Sequence, residues 1–357
     1  MDVAVIGATG SVGRAICSEL IVSRVVDSGS RLQLVGREGG ESARAAFGLR
    51  VDLIDAHDEH APLIDVALRA EDVVADVVVL AGGRTVPTDP RQPLDRAALA
   101  TANFPVFEEY AQALAREGSG HEVVVVVSNP VELAVSVLSR HLDRHRVVGM
   151  GAWLDTLRFR REIAWALGIR RQRVGGFVVG QHGDAAAPLW STVRISGLDA
   201  EERAAFLHRL RGDRDLSTFA AELSAARTRM VELSEIDIVE AFAYVDRQRP
   251  GIRTILRPFL THQSGAKTAN GTARATVDLV ETIADGRTTL VAGQVAVDGE
   301  IELGGAPWRG VLGVPIALGP EGWTRVLLDD LAPDEDAYLA AVGARINDLN
   351  AEWGLQP

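Results

Sequence analysis

Residues 178–184 of this chain place a histidine between two glycines at the end of an apolar run. Histidine is the side chain whose ordinary pKa lies closest to neutral pH, so His182 can take or give a proton at little cost. The flanking Gly180 and Gly183 allow a sharp backbone turn and the close approach of a substrate. Taken alone, the pattern also fits an exposed histidine at a strand end. Acid–base catalysis becomes the better hypothesis only if other residues support this histidine.

The composition describes an ordinary globular protein that is long enough for two domains. The chain has 357 residues, of which 47% are hydrophobic and 24% are charged. Its net charge of −12 is spread along the sequence, so we expect neither nucleic acid nor a membrane surface as a partner. The single cysteine, Cys17, excludes an internal disulfide and fits a reducing compartment. With no basic segment before the first apolar run and no run long enough to span a bilayer, we expect a cytoplasmic protein.

The first motif is a glycine loop between a predicted strand and a predicted helix. Residues 3–6 form an apolar run with β-branched side chains, and residues 7–13 read G-A-T-G-S-V-G. In this context glycines permit a tight turn and a close backbone approach, and the helix N-terminus offers free N–H groups to a pyrophosphate. The spacing is one residue longer than the usual dinucleotide motif. We therefore predict a dinucleotide phosphate site at Gly7, Gly10 and Gly13.

The end of the second predicted strand, residues 32–35, bears on the choice of cofactor. A carboxylate at this point would bind the ribose hydroxyls of NAD, whereas an arginine favours the additional phosphate of NADP. The chain has Gly36, Arg37 and Glu38 here. The missing carboxylate and the guanidinium of Arg37 favour NADP(H). The alternative is NAD, with Glu38 in a weaker version of the carboxylate role.

Further strands are predicted at residues 73–80 and 123–127, with helices at 61–70 and 107–116 between them. Near-unbroken valine and leucine runs are typical of parallel strands that are buried on both faces. Residues 1–150 are therefore predicted to form a Rossmann domain, a doubly wound α/β fold with a parallel sheet. Gly82 and Asn129 follow two of these strands, at the edge where an open α/β sheet binds ligands.

Three segments in the middle of the chain resemble the lactate/malate dehydrogenase family. Residues 127–132 (V-S-N-P-V-E) are similar to its V-x-N-P-V-D segment, and residues 154–160 (L-D-T-L-R-F-R) to its L-D-S-x-R-F-R helix. Residues 180–184, with Pro188 and Trp190, match its G-E-H-G-D-x-x-x-P-x-W pattern. Residues 297–300 and 313–319 resemble the antiparallel strands of its substrate domain. The resemblance implies a C-terminal α+β substrate domain over residues 151–357, and the glycine loop is most similar to malate-dehydrogenase-like members that accept NADP.

The resemblance also implies a role for each polar residue of these motifs. His182 would exchange a proton with the C2 oxygen of a 2-oxo or 2-hydroxy acid, and Asp155 would orient its ring. Arg158 would bind the substrate carboxylate with two parallel hydrogen bonds, and Asn129 would hold the substrate oxygen. Thr268 and Ala269 would line the pocket wall, and no metal is needed. The alternatives are an ordinary helical ion pair between Asp155 and Arg158, and a turn cap at Asn129.

The loop at residues 83–103 is longer than its counterpart in the family, which carries an arginine that polarises the carbonyl. Counting back from Asn103 places Arg96 at that position, whereas counting forward from Gly82 favours Arg91. We predict Arg96, with Arg84 or Arg91 binding a second carboxylate. The residues predicted to contact the dinucleotide are Gly7, Thr9, Gly10, Ser11, Val12, Gly13, Gly36, Arg37, Glu38, Ala81, Gly82, Gly83, Asn103, Val127 and Asn129.

Residues 198–265 form a second segment that is longer than its counterpart in the family. It would either enlarge the substrate pocket or build a subunit contact. The family's members imply a homodimer or homotetramer. The leading hypothesis is an NADP(H)-preferring dehydrogenase that interconverts oxaloacetate and (S)-malate. The alternatives are the same chemistry on an unusual 2-oxo acid, and a non-catalytic member that only binds a dinucleotide.

Overall fold

The first half of the chain forms six parallel strands in the order β3-β2-β1-β4-β5-β6. The computed structural model describes residues 1–85, 96–183, 185–266, 268–328 and 331–356. The strands are β1 (Val3–Ile6), β2 (Arg31–Val35), β3 (Leu63–Ala67), β4 (Val77–Leu80), β5 (Val123–Val126) and β6 (Val147–Gly149). The helices are α1 (Ser11–Val22), α2 (Glu41–Ala56), α3 (Arg96–Glu117) and α4 (Val131–His141).

The central strands of this sheet are buried on both faces, as their apolar runs predicted. Every residue of β1, β4 and β5 is buried, and β1 pairs in register with β2 on one side and β4 on the other. This strand order is that of the doubly wound dinucleotide-binding fold, in which ligands bind at the carboxyl ends of the strands. The Rossmann prediction for this half is confirmed, and so is the predicted helix at residues 107–116, which lies inside α3.

The predicted helix at residues 61–70 is wrong, because Leu63–Ala67 is strand β3. It pairs in parallel with the whole of β2 and forms the edge of the sheet. Tertiary pairing therefore overrides the helical interpretation of a short apolar segment. The strand predicted at residues 73–80 begins only at Val77. Its earlier residues follow a short 3-10 helix, and the N–H of Val74 donates to the side chain of Gln33 at 3.0 Å instead of to a neighbouring strand.

The second half of the chain continues the same sheet with antiparallel strands. Gly149 of β6 pairs with Gln294 of β9, and the sheet then runs β9-β10-β7-β8, with β11 pairing with β10. The strands are β7 (Val174–Gly180), β8 (Ala186–Ile195), β9 (Thr289–Leu303), β10 (Ala306–Gly319) and β11 (Gly322–Val326). The predicted antiparallel strands at residues 297–300 and 313–319 are confirmed: they lie within β9 and β10, which pair with each other in antiparallel orientation.

Helices cover this half of the sheet and supply much of one wall of the site. They are α5 (Gly151–Leu167), α6 (Ala200–Arg211), α7 (Phe219–Ile236), α8 (Ile238–Asp246), α9 (Pro250–Gln263), α10 (Ala269–Ala284) and α11 (Pro333–Ala351). The segment at residues 198–265 thus folds into α6 to α9. None of the helices in the described ranges combines the length and the apolar character that a membrane crossing needs.

Candidate active site

The glycine loop after β1 is shaped by contacts that leave no room for side chains. Gly7 has a φ of +79°, and a Cβ atom there would lie 2.6 Å from the Cα atom of Gly82. A Cβ atom at Gly13 would lie 2.2 Å from the Gly7 carbonyl oxygen. Both glycines are therefore required to pack α1 against the ends of β1 and β4. The residue before α1 is Gly10, which has no side chain to cap the helix, so it leaves the N–H groups of the first turn to other partners, as at a phosphate site. The loop fits a dinucleotide.

The end of β2 carries the residues that were predicted to select the cofactor. Gly36 is buried, and a Cβ atom there would lie 3.2 Å from Ser42 Oγ, whereas Arg37 and Glu38 are exposed. Ser42 Oγ accepts from the Arg37 N–H at 3.3 Å and lies 3.3 Å from Thr9 Oγ1. Ser42, in the first turn of α2, thus links the two predicted elements. Sequence reasoning missed it, although a hydroxyl early in the helix after this strand was the available signal.

A cavity of about 420 Å³ opens where β4, β5 and β7 end. The predicted residues that line it are Val12, Ala81, Gly82, Gly83, Arg84, Arg96, Val127, Asn129, Asp155, Arg158, His182 and Thr268. The predicted residues that do not line it are Gly7, Thr9, Gly10, Ser11, Gly13, Gly36, Arg37, Glu38, Asn103 and Ala269. Most of the latter belong to the glycine loop and to the end of β2. Arg91 lies outside the described residues.

His182 is held against the side chain of Asp155 at the centre of the cavity wall. Its Nδ1 lies 2.7 Å from Asp155 Oδ2. That oxygen also accepts from the Gly183 N–H at 3.3 Å, and Asp155 Oδ1 accepts from Arg158 Nη1 at 3.1 Å. Because an ionised carboxylate only accepts hydrogen bonds, Nδ1 donates, and Nε2 is the ring atom left for acid–base chemistry. The predicted histidine–aspartate pair and the helical ion pair are both present.

The electrostatics of Asp155 keep it ionised. The carboxylate is almost fully buried, which by itself would raise its pKa. The charge and hydrogen bond of His182, together with the Arg158 guanidinium, outweigh burial and hold the pKa of Asp155 below its ordinary value. The ionised Asp155 carboxylate therefore accepts the hydrogen bond from Nδ1 and fixes the orientation of the His182 ring.

The backbone of His182 is fixed from two sides. Glu132 Oε1 accepts from the His182 N–H at 2.7 Å, and Arg96 Nη2 donates to the His182 carbonyl at 3.0 Å. Glu132 is only 3% exposed, and burial raises its pKa despite the nearby charge of Arg96. In the sequence Glu132 was only a motif position where the family pattern has aspartate, so this role was missed.

Helix α5 approaches the histidine ring so closely that its first residue must be glycine. A Cβ atom at Gly151 would lie 2.5 Å from His182 Cγ. A side chain at Gly151 would therefore displace the ring from Asp155. This contact joins two segments that are far apart in the sequence, and no local pattern marks it.

Asn103 organises the site from behind the cavity instead of lining it. The side chain is fully buried. Its Nδ2 donates to the carbonyl of Arg84 at 3.0 Å and to that of Asn129 at 2.7 Å. Its Oδ1 accepts from the Arg84 N–H at 2.6 Å. The amide therefore ties the start of the loop at Arg84 to Asn129, in the segment that follows β5. Ala269 was predicted to line the pocket wall, but it is not among the lining residues. At the start of α10, Thr268 and Thr272 line the cavity instead.

Helices α7 and α9 form one wall of the cavity. The sequence did not decide whether their segment enlarges the substrate pocket or builds a subunit contact. The lining residues of these helices are Arg227, Val231, Thr254, Ile255, Pro258, Phe259, His262 and Gln263. The long segment at residues 198–265 thus contributes directly to the cavity. Sequence reasoning named none of these residues.

Both halves of the chain are similar to known proteins. A family model described as lactate/malate dehydrogenase, NAD binding domain, matches residues 1–149. The chain is 30% identical to a malate dehydrogenase of Halobacterium salinarum, over 97% of each chain. It is 28% identical to an L-2-hydroxycarboxylate dehydrogenase (NAD(P)+) of Methanocaldococcus jannaschii, over 71% of this chain and 85% of that protein.

Two solved structures share the fold. A lactate dehydrogenase from Cryptosporidium parvum, crystallised with lactic acid and nicotinamide adenine dinucleotide, aligns with a TM-score of 0.73 at 20% identity, covering 100% of this chain and 98% of that one. The malate dehydrogenase from Aeropyrum pernix aligns with a TM-score of 0.73 at 21% identity, covering 99% and 98%.

Proposed function

This chain belongs to the lactate/malate dehydrogenase family, and from that premise we propose that it interconverts oxaloacetate and (S)-malate. Family membership makes it an oxidoreductase that uses a nicotinamide dinucleotide and acts on a 2-oxo or 2-hydroxy acid. The observation that carries the proposal is the arrangement around Asp155, which binds His182 with one oxygen and Arg158 with the other. This arrangement places a proton donor beside a carboxylate-binding guanidinium.

In the proposed reaction, Arg158 holds the C1 carboxylate of the 2-oxo acid through charge-assisted hydrogen bonds. Nε2 of His182 gives its proton to the C2 oxygen, and Asp155 stabilises the imidazolium before that transfer. Arg96 and Asn129, which line the same cavity, polarise and orient the C2 oxygen. When bound, the dinucleotide supplies the hydride that reaches C2. In the oxidative direction, neutral His182 takes the proton from the 2-hydroxyl group.

We propose NADP(H) as the preferred cofactor. Support comes from Arg37, an exposed guanidinium at the end of β2 where a carboxylate would favour NAD. The neighbouring Ser42 hydroxyl adds a second group suited to a phosphate. The glycine loop at Gly7, with the uncapped N-terminus of α1, would hold the pyrophosphate.

We also propose that residues 1–150 bind the dinucleotide and that residues 151–357 supply the acid–base and carboxylate-binding groups. Family membership supports a homodimer or homotetramer. We propose a cytoplasmic location, because the single cysteine, Cys17, is fully buried and fits the reducing compartment expected from the sequence.

The decisive experiment follows the absorbance of NADPH with oxaloacetate and pyruvate, with NADH in parallel. We expect faster turnover of oxaloacetate, with NADPH preferred. His182→Asn should abolish turnover and leave dinucleotide binding intact in a fluorescence titration, whereas His208→Gln, at an exposed histidine of α6, should change neither. If NADPH binds and no 2-oxo acid is reduced, the chain is the non-catalytic alternative. Near-normal turnover in His182→Asn would refute the mechanism.

A further inference from the structure

A fully buried glutamine on β9, Gln294, lies where the two halves of the sheet join. Its backbone pairs with Gly149 of β6 on one side and with Gly313 of β10 on the other. Gly313 in turn pairs with Gly180 of β7. Strand β6 leads into α5, and β7 leads into the turn that carries the proposed proton donor. Gln294 therefore lies between the two segments that supply the acid–base pair.

The glycines on both sides of Gln294 leave room for its side chain. A Cβ atom at Gly149 would lie 2.8 Å from Gln294 Cβ and 3.1 Å from its Oε1. A Cβ atom at Gly313 would lie 3.2 Å from Gln294 Nε2. Paired residues of neighbouring strands direct their side chains to the same face of a sheet, so a larger residue at either position would crowd the glutamine.

The amide of Gln294 caps helix α5 from a distant part of the chain. Its Oε1 accepts from the Ala152 N–H at 3.0 Å, across 142 positions. Met150, the residue before the helix, makes no side-chain capping bond. The first N–H groups of a helix have no partner within it, and an oxygen that accepts from the second helical residue is what a capping side chain normally supplies. Strand β9 thus provides the cap of α5.

The capped turn is the one that meets the histidine. A Cβ atom at Gly151 would lie 2.5 Å from His182 Cγ, so the turn packs directly against the ring. Asp155 follows Ala152 by three residues, and its Oδ2 lies 2.7 Å from His182 Nδ1. Hydrogen bonds of this kind extend from about 2.7 to 3.2 Å, so a shift of the turn by about 0.5 Å takes this one to its limit.

The other end of the amide shows which atom of Gln294 is useful. Its Nε2 is buried, and no group in the described part of the chain accepts a hydrogen bond from it. A buried donor without a partner destabilises the folded state, whereas an apolar side chain of similar shape avoids that cost. Packing alone therefore does not favour glutamine at position 294. The Oε1 acceptor is what the amide contributes.

We propose that Gln294 is a positioning residue for the acid–base pair. Its Oε1 holds the first turn of α5 where Asp155 reaches the ring of His182. Gln294 is not among the residues that line the cavity, so it acts through α5 and not on the substrate. The proposal rests on the proposed function only for its effect on turnover, because the geometry of the pair is measurable without substrate.

The kinetic test removes the acceptor and then restores it. Gln294→Met keeps the approximate size and lacks the oxygen. It should lower kcat for oxaloacetate reduction by roughly 10- to 100-fold, since a misplacement of about 1 Å at a catalytic group can cost about 100-fold. The dissociation constant of NADPH should not change. Gln294→Glu should recover most of the kcat, because a carboxyl group keeps an acceptor for the Ala152 N–H in either protonation state.

The matched control is Val297→Ala, on the same strand. Val297 is 3% exposed and lies three residues after Gln294, so its side chain points to the opposite face of the sheet. It should lower stability in urea unfolding and leave kcat of the folded protein unchanged. Gln294→Leu replaces Gln294→Met if the methionine variant does not fold.

A nuclear magnetic resonance measurement reports on the pair itself. With ¹⁵N-labelled histidine, the Nδ1–H proton of His182 should resonate downfield because it donates to a carboxylate. The signal is identified among the eight histidines by its absence in His182→Asn. Gln294→Met should move or broaden it, whereas Gln294→Glu and Val297→Ala should leave it in place. A variant that only reduces the folded fraction keeps the resonance position of the molecules that remain folded.

The outcomes separate positioning from stability and from the proposed chemistry. An unchanged resonance and kcat in Gln294→Met would overturn the inference and leave the proposed function standing. A loss of kcat with the resonance unchanged, or a loss that Gln294→Glu does not recover, would assign Gln294 a merely structural role and also overturn it. If the wild type reduces no 2-oxo acid and the resonance still moves in Gln294→Met, the proposed function fails and the positioning role is upheld.

Discussion

Nδ1 of His182 lies 2.7 Å from Oδ2 of Asp155, although 27 positions separate the two residues in the chain. Asp155 is on helix α5, and His182 follows strand β7. The packing of α5 against β7 therefore brings His182 and Asp155 into contact. The pair gives the histidine a fixed tautomer and a permanent anion beside its ring.

Asp155→Asn should lower kcat by about 10⁴-fold, the loss typical when the aspartate of such a pair is removed. The amide can present its N–H to Nδ1 and trap the wrong tautomer. Steady-state kinetics of 2-oxo acid reduction measure this loss of kcat. Asp72→Asn, at an exposed ion pair with Arg69, is the control and should match the wild type. An unchanged kcat in Asp155→Asn would contradict the assigned role.

Arg96→Gln should cost more turnover than Arg91→Gln. Arg96 lines the cavity and donates to the His182 carbonyl at 3.0 Å, which places its guanidinium beside the proposed proton donor. Removal of a group that stabilises a developing oxyanion typically costs about 10²- to 10³-fold in kcat. The measurement is kcat for oxaloacetate reduction at saturating NADPH. A larger loss in Arg91→Gln would move the polarising role to that residue.

Arg37→Gln should weaken the preference for NADPH over NADH. Loss of one guanidinium–phosphate contact should lower kcat/KM for NADPH by roughly 10- to 100-fold, and kcat/KM for NADH should change little. Arg50→Gln, at an exposed position of α2, is the matched control. Equal turnover with both cofactors in the wild type would remove the basis for this prediction.

Glu132→Gln should change how stability depends on pH. Burial raises the pKa of Glu132, so the folded protein binds this proton more tightly than the unfolded chain does. In the wild type, this group's contribution to the free energy of unfolding falls as pH rises from the ordinary value of 4.5 through the raised pKa. The amide keeps the acceptor for the His182 N–H and does not titrate, so the variant should gain stability relative to the wild type over that window. Urea unfolding at a series of pH values, with the exposed Glu59→Gln as control, measures this difference. A difference that does not vary with pH would contradict the assignment.

The sequence by itself determined the chemistry and the general architecture. The glycine loop at Gly7 predicted a dinucleotide site because the whole motif lies in one short stretch of sequence. A strand, a tight turn and a helix follow one another there directly. Apolar runs predicted the buried central strands for the same reason. The helix prediction for residues 61–70 was wrong, because this segment pairs with β2 and forms a strand.

Tertiary structure alone decided which residues meet. Glu132 binds the backbone of His182 across 50 positions, and Ser42 bridges the glycine loop and the end of β2. Arg227 and His262 line the cavity because α9 packs against α5 and α7 packs against α9, and no local sequence pattern marks these two residues. Periodicity and motif spacing report contacts between near neighbours in the chain, whereas the walls of a cavity are set by the packing of elements that are distant in sequence.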